Sequence, residues 1–278
     1  MGGTTTRVAS SKDMAKLHKI VKFPTNKAVS SQKLFIEDAI LKVSDRAKVE
    51  FVCFGVPGTV DTATRKFLRM PNYPALNGKD FSELIDTRFG ELVFVENDAA
   101  LAALAEATLG SGKNAVDGKA RIVAYLALGT GVGGARVDRT TFSYLAAEPG
   151  HQIISAEGRL CKGCGQHGCL EAYASGTSFT EMFGCNPIDC SNPAVWQQYA
   201  SYLAIGIINV ISMWRPDIIV LGGSVSNKFL LFEGPLRERL KELNFFDIPP
   251  IVKSQIGDEA GVYGGFLLTE KVIKKLVS

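Results

Sequence analysis

The feature that most constrains the fold is an alternation. Strand-like runs (TTTRVAS, VEFVCFGV, ELVFVEN, ARIVAYLAL and PDIIVLGG) take turns with helix-like runs (SSQKLFIEDAILKVSDRA, DAALAALAEATLG, NPAVWQQYASYLAIGIINVISMW and LRERLKEL), and the chain closes with AGVYGGFLLTEKVIKKLV. Several of the strands are apolar throughout, so both of their faces need cover, and interleaved helices supply it. The pattern predicts an α/β protein. A chain of 278 residues suits one large or two modest domains. The polar, glycine-containing stretch LGSGKNAVDGKA, residues 109–120, reads as a boundary region.

Charge and hydropathy narrow the function classes. A net charge of +3 with no Lys/Arg block disfavours nucleic acid and anionic membrane as partners. The most apolar window, Tyr202 to Met213, is shorter than the roughly 20 residues a bilayer span needs and contains Asn209. The start, MGGTTTRVASSKDMAKLHK, has no apolar secretion signal. A cytoplasmic, reducing setting is therefore expected, where clustered cysteines hold metal more often than they form disulfides.

Such a cluster exists. GHQIISAEGRLCKGCGQHGCLEAYASG, Gly150 to Gly176, holds three of the six cysteines and two of the three histidines. Zinc takes about four nitrogen and sulfur ligands in a tetrahedron. His151, Cys161, Cys164 and Cys169 offer one imidazole and three thiolates, and Gly163, Gly165 and Gly168 permit tight turns between them. Buried free cysteines are the plainer reading of the same residues, and His167 is a competing ligand. Cys53, Cys185 and Cys190 read as core packing.

A second pattern is an internal echo. GGTTTRVA (Gly2 to Ala9) and GTGVGGARV (Gly129 to Val137) are both glycine/threonine turns feeding a strand, which suggests a duplicated fold. Glycine lets backbone N–H groups approach a phosphate, and threonine adds a hydroxyl donor. In VENDAA an apolar strand hands over to a helix, so Asn97 and Asp98 stand at a strand's carboxyl end. They are also good helix N-caps, and position alone does not separate the two roles.

Taken in order, MGGTTTR, GVPGTVD with MPNYPALNG, VENDAA, LGTGVGG and EPGHQII…CKGCGQHGCLEAYASG resemble the ROK family of sugar kinases and sugar-responsive repressors, within the actin-like ATPase superfamily. IIVLGGSVS and GDEAGVYGG look like its adenosine-side elements, so the resemblance spans essentially the whole chain. It implies a duplicated, ribonuclease H-like α/β fold. The small lobe would be residues 1–98 completed by the C-terminal helix, about 260–278, and the large lobe 99–259 with a zinc knuckle at 151–169. The two lobes would face each other across a nucleotide and sugar cleft.

The resemblance also implies roles. Asp98 would be the catalytic base that takes the proton of a sugar's primary hydroxyl as it attacks the γ-phosphate of ATP. Asn72, Asn97, Glu148, His151 and Glu171 would hold sugar hydroxyls, with Gly58 in a sugar-side loop. Gly2, Gly3, Thr4 and Thr5, and Gly129, Thr130, Gly131 and Gly133, would cradle ATP phosphates, while Gly222 and Gly223 admit the adenosine. Zinc would be structural, with Mg²⁺ accompanying ATP. The implied activity is a glucokinase acting at the 6-hydroxyl, working as a homodimer. Alternatives are an N-acetylhexosamine kinase, a catalytically weak sugar-binding protein, or a sugar-responsive regulator without a DNA-binding domain.

Three departures from the family pattern bear on these expectations. Two residues, Lys162 and Gly163, separate the first two cysteines where the family has one. Thr5 stands where asparagine is frequent. The family's first phosphate turn reads D-x-G-G-T after an apolar strand, and here Met1 occupies the x position. The expectation is therefore that the first strand and its aspartate are missing from this chain, and that ATP-Mg²⁺ binding is weak.

Overall fold

A computed structural model of the chain describes its residues apart from 72, 87–88, 90–91, 114–119, 244–246 and 278. The candidate sugar ligand Asn72 and half of the expected boundary stretch at 109–120 thus lie outside the described residues. The chain divides into two compact units, Met1–Ala105 with Glu259–Ser278, and Glu106–Asp258. The division falls inside a helix rather than at residue 98 or in the polar stretch.

In the first unit, β1 (Thr5–Ser10) pairs antiparallel with β2 (Lys19–Pro24). α1 (Val29–Val43) follows, burying Gln32, Ile36, Ala39, Ile40 and Val43, a spacing that lines one helix face. β3 (Phe51–Val56) pairs in parallel with β6 (Leu92–Asn97), and between them lies the hairpin of β4 (Thr59–Asp61) and β5 (Lys66–Arg69). α2 (Asp98–Thr108) leaves the end of β6, and α7 (Ala260–Val277) packs on β3. Ile36, Phe54, Val56, Phe67, Met70 and Leu76 are central to the core. Among the described residues β1 pairs only with β2 and β3 only with β6.

A buried polar network ties this unit's first turn to α1. The Gln32 amide donates to Thr6 Oγ1 at 2.8 Å, its Oε1 accepts from Asn26 N at 2.8 Å, and Thr6 Oγ1 lies 2.9 Å from Thr25 Oγ1. Burying a glutamine costs free energy unless both ends of its amide are satisfied, and here they are.

The second unit is built on a five-stranded sheet, in spatial order β11 (Ile251–Lys253), β10 (Ile218–Gly222), β7 (Ile122–Leu128), β8 (Val132–Asp138), β9 (Ser143–Ala147). β11, β10 and β7 run parallel, and β8 and β9 add antiparallel hairpin pairs. Every residue of β10 is buried, as expected for a strand covered on both faces. α3 (Glu171–Ala174) and α4 (Gly176–Phe183) lead to α5 (Pro193–Trp214), which packs against α6 (Phe229–Leu243). α5 starts cleanly, with the Asn192 side chain accepting from Ala194 N and Pro193 in the first turn.

The apolar window at Tyr202 lies within α5, where Leu203, Ala204, Ile207, Val210 and Ile211 are buried in the core. Trp196 stacks on Phe232 at 5.6 Å, and Phe179 and Tyr199 complete an aromatic cluster. No described helix is long and apolar enough to cross a membrane. Cys190 sits in this core with Cys185 packed against it. Cys53 faces α7 in the first unit, where burial first, then Glu96, pushes its thiol up to about 12. These three cysteines pack, as expected.

Candidate functional site

In the first unit the parallel pairing of β3 and β6 brings two loops to the same sheet end. Val56 lies opposite Asn97, so the GVPGTVD turn after β3 and the start of α2 are neighbours. Asn97 serves as the N-cap: its Oδ1 accepts from Ala100 N at 3.0 Å, while its Nδ2 donates to Gly58 O at 3.1 Å. The cap role weighed from the sequence is real, and the same side chain also fixes the neighbouring loop. Gly58 is confined to glycine: its φ is +141°, and a Cβ would lie 2.2 Å from Arg69 O.

Asp98 opens α2, half-buried, with its carboxyl at the helix N-terminus. Burial pushes that carboxyl above the usual aspartate range, while the Met1 ammonium and the Ala99 and Asp98 amides pull the other way. A carboxylate that holds a proton more tightly than usual is a better general base.

Gly2 to Thr5 form a tight turn. Gly2 N donates to Thr5 O at 2.9 Å, Thr25 Oγ1 donates to Gly2 O, and Lys27 Nζ donates to Gly3 O, both at 2.8 Å. Thr4 is exposed at its tip.

In the second unit, two elements meet at the carboxyl ends of the parallel strands β7 and β10. One is the turn 129–131 between β7 and β8, closed by Gly129 N donating to Gly131 O at 3.0 Å, with Gly133 following in β8. The other is Gly222–Gly223 after β10, where Gly223 has φ +82° and approaches Leu128 O. The two glycine/threonine stretches that echo each other in sequence therefore both form turns that enter strands, β1 and β8. Sheet topology places Gly129, Thr130, Gly131, Gly222 and Gly223 together, at the carboxyl ends of the two parallel strands β7 and β10, where ligands commonly bind.

The cysteine cluster forms a knuckle after β9. A short helical turn, Pro149–His151, presents the imidazole. Ile153 bridges to Cys169 and Leu160 to His167, folding the loop back on itself. Gly168 makes the fold-back possible, since its φ is +76° and a Cβ would lie 1.6 Å from Ser155 O. The ligand atoms of His151, Cys161, Cys164 and Cys169 all lie within 4.8 Å of one another. Cys164 Sγ and Cys169 Sγ are 3.3 Å apart, and Cys161 Sγ is 3.9 Å from His151 Nδ1. A tetrahedron with about 2.3 Å Zn–S arms has edges of about 3.8 Å, so these four residues fit zinc.

Burial pushes the Cys161 and Cys169 thiols up, to about 11 and about 12, so unaided they stay protonated at neutral pH. A bound divalent cation reverses that preference. His167 is not in the cluster; its Nδ1 lies 2.8 Å from Gly158 O. The two-residue gap between Cys161 and Cys164 is accommodated by a turn in which Gly165 N donates to Cys161 O at 2.8 Å.

Glu171 begins α3 just beyond the knuckle. Its Oε2 accepts from Val132 N at 2.8 Å and its Oε1 from the Cys161 thiol at 3.5 Å. It therefore stands between the knuckle and the β7–β8 turn, closer to both than its position in the sequence suggests. Glu148 stands at the start of the turn carrying His151, its backbone carbonyl accepting from His151 N at 3.0 Å, and is exposed.

Sequence reasoning passed over Glu106. It is fully buried and accepts from Ser111 N, Ser254 Oγ, Gln255 N and Ile256 N. Three of its four donors belong to the segment that follows β11, next in sequence to the expected adenosine-side element GDEAGVYGG, and the fourth, Ser111, follows α2.

Comparison with known proteins gives the chain's family. The sequence profile of the ROK family matches residues 1–272. The glucokinase of Thermotoga maritima is 28% identical, across 95% of this chain and 93% of its own. The N-acetyl-D-glucosamine kinase of Vibrio cholerae serotype O1 is 32% identical, across 79% of this chain and 80% of its own. Among solved structures, the ROK hexokinase of Thermus thermophilus matches with a TM-score of 0.77 at 27% identity, covering 99% of this chain and 97% of that one. The chain belongs to the ROK family and has the actin-like, two-lobed α/β fold of that family's kinases.

Proposed function

We propose that the chain is an ATP-dependent hexose kinase acting on the 6-hydroxyl of an aldohexose, glucose foremost. The observation that carries this reading is Asp98, a carboxyl with a raised proton affinity in the first turn of α2, at the end of the parallel β3–β6 pair. In the reaction Asp98 accepts the proton of the primary hydroxyl. The hydroxyl oxygen bonds to the γ-phosphorus, the bond to the bridging oxygen breaks, and ADP leaves.

Asn72, Asn97, Glu148, His151 and Glu171 hold the other sugar hydroxyls, since ionised carboxylates accept strong hydrogen bonds from them. Gly129, Thr130, Gly131 and Gly133, with Gly2, Gly3, Thr4 and Thr5, take the phosphates that Mg²⁺ accompanies, and Gly222–Gly223 the adenosine. His151, Cys161, Cys164 and Cys169 hold a structural zinc. Nδ1 is the His151 atom facing Cys161, which leaves Nε2 to meet a sugar hydroxyl. The protein acts in the cytoplasm as a homodimer.

N-acetylhexosamine phosphorylation is a second reading, supported by the Vibrio cholerae relative at 32% identity. A coupled ADP-release assay across glucose, mannose, N-acetylglucosamine and N-acetylmannosamine separates the two. Glucose should have the highest kcat/KM. A preference for an N-acetylated sugar would favour the second reading, and sugar binding without ADP release from any substrate would leave a sugar-binding protein.

A further inference from the structure

Three hydrogen bonds from one short segment hold the phosphate turn of the second unit. Gly176 N donates to Gly129 O at 2.7 Å, Thr177 Oγ1 donates to Thr130 O at 2.9 Å, and Val132 N donates to Glu171 Oε2 at 2.8 Å. All three contacts come from the seven residues that begin α3 and α4, immediately after the knuckle's last cysteine.

The consequence follows from peptide geometry. A trans peptide is planar, and its C=O and N–H point in opposite directions. Drawing the Gly129 carbonyl toward Gly176 aims the Thr130 N–H the other way, and drawing the Thr130 carbonyl toward Thr177 does the same for the Gly131 N–H. Two successive amides are thereby turned to a common side, away from the segment that grips their carbonyls. Successive backbone N–H groups so presented make an anion-binding concavity. Of the three contacts, two involve backbone or an already assigned carboxylate. The third comes from an exposed side chain for which neither catalysis nor packing supplies another role.

We propose that Thr177 is a positioning residue for the nucleotide: its hydroxyl, by holding the Thr130 carbonyl, keeps the Gly131 amide aimed at a phosphate of ATP. This rests on the reading of Gly129–Gly133 as a phosphate turn. Thr177 acts through the turn and touches no reacting atom.

The test is calorimetric titration of the purified chain with AMPPNP-Mg²⁺ and, separately, with glucose. Thr177→Val keeps the shape and removes the donor, and Thr177→Ser restores the donor. Thr177→Val should weaken AMPPNP binding by about two- to tenfold, the value of one hydrogen bond, and leave glucose affinity unchanged. Thr177→Ser should return AMPPNP affinity to within twofold of the parent.

Unchanged AMPPNP affinity in Thr177→Val overturns the proposal while leaving the phosphate-turn reading intact. So does equal weakening by Thr177→Ser, which would implicate the methyl group, or parallel loss of glucose affinity, which would mark a general structural role. If the parent chain binds no AMPPNP, the phosphate-turn reading fails and the proposal fails with it.

Discussion

Replacing Glu106 by alanine strands four donors at once. The carboxylate is fully buried, Oε1 accepting from Ser254 Oγ at 2.5 Å and Ile256 N at 2.8 Å, and Oε2 from Ser111 N at 3.0 Å and Gln255 N at 3.3 Å. Each buried donor left without an acceptor costs about 1–3 kcal/mol. Four such penalties do not add in full, because the cavity left by the side chain is polar and wide enough for water to re-satisfy some of them. The expected loss is about 3–5 kcal/mol, the range seen when a buried charged partner is removed. At about 2–4 °C per kcal/mol for a unit of this size, the melting temperature should fall by about 6–20 °C. Glu106→Gln should lose less, since its carbonyl oxygen can still accept while its amide nitrogen faces two N–H donors.

The assay is thermal unfolding followed by far-ultraviolet circular dichroism, paired with hydrogen exchange at the Ser111, Gln255 and Ile256 amides. Faster exchange confined to those three amides would locate the loss. A melting temperature within 2 °C of the parent, with exchange unchanged, would refute the view that this carboxylate anchors the segment after β11.

Asp98→Asn should lower turnover by about 10²–10⁴-fold, as general-base loss does, and should raise stability at neutral pH. The sign follows from the raised proton affinity of the buried carboxyl. Stability from the protonated form is complete below about pH 3.9 and is lost as pH rises through the higher folded value, so the asparagine gain should shrink toward acid. A less stable variant with normal turnover would refute both parts. Elemental analysis should find one zinc per chain, and Cys164→Ser should lower the melting temperature, because a structural zinc site contributes folding free energy directly. Metal-free protein with unaltered stability would contradict that reading. Gly58→Ala should destabilise by more than the roughly 0.4–1 kcal/mol that the same substitution gains where the backbone accepts it, since the added Cβ meets Arg69 O at a positive φ. A neutral change in urea-denaturation midpoint would disprove it.

Local pattern was enough to read the framework. The five strands marked by apolar runs became β1, β3, β6, β7 and β10, and the helical runs became α1, α2, α5, α7 and the second half of α6. The four candidate metal ligands were legible as a set too, because cysteine and histidine spacing alone singles them out, and the fold brings their ligand atoms to within 4.8 Å of one another. Asp98 was legible as a polar residue at a strand-to-helix handover, though the sequence left the capping role of Asn97 undecided.

Other elements became visible only in three dimensions. β8, VGGARVD, is expected from the sequence only as a strand fed by a glycine/threonine turn, and its extent, Val132–Asp138, is set by the seven residues of β7 that pair with it. The short strands β4, β5 and β11 likewise exist through their partners rather than through their own propensity. Glu106 looks like the solvated face of an alanine-rich helix, and its burial depends on Ser254, Gln255 and Ile256, 148 to 150 residues away. Thr177 is a plain threonine until the chain after the knuckle returns to the β7–β8 turn. Apolar periodicity and ligand spacing are properties of neighbours along the chain, and the sequence determines them directly. The partner of a backbone carbonyl or a buried carboxylate is a neighbour in space, which only the closed tertiary structure decides.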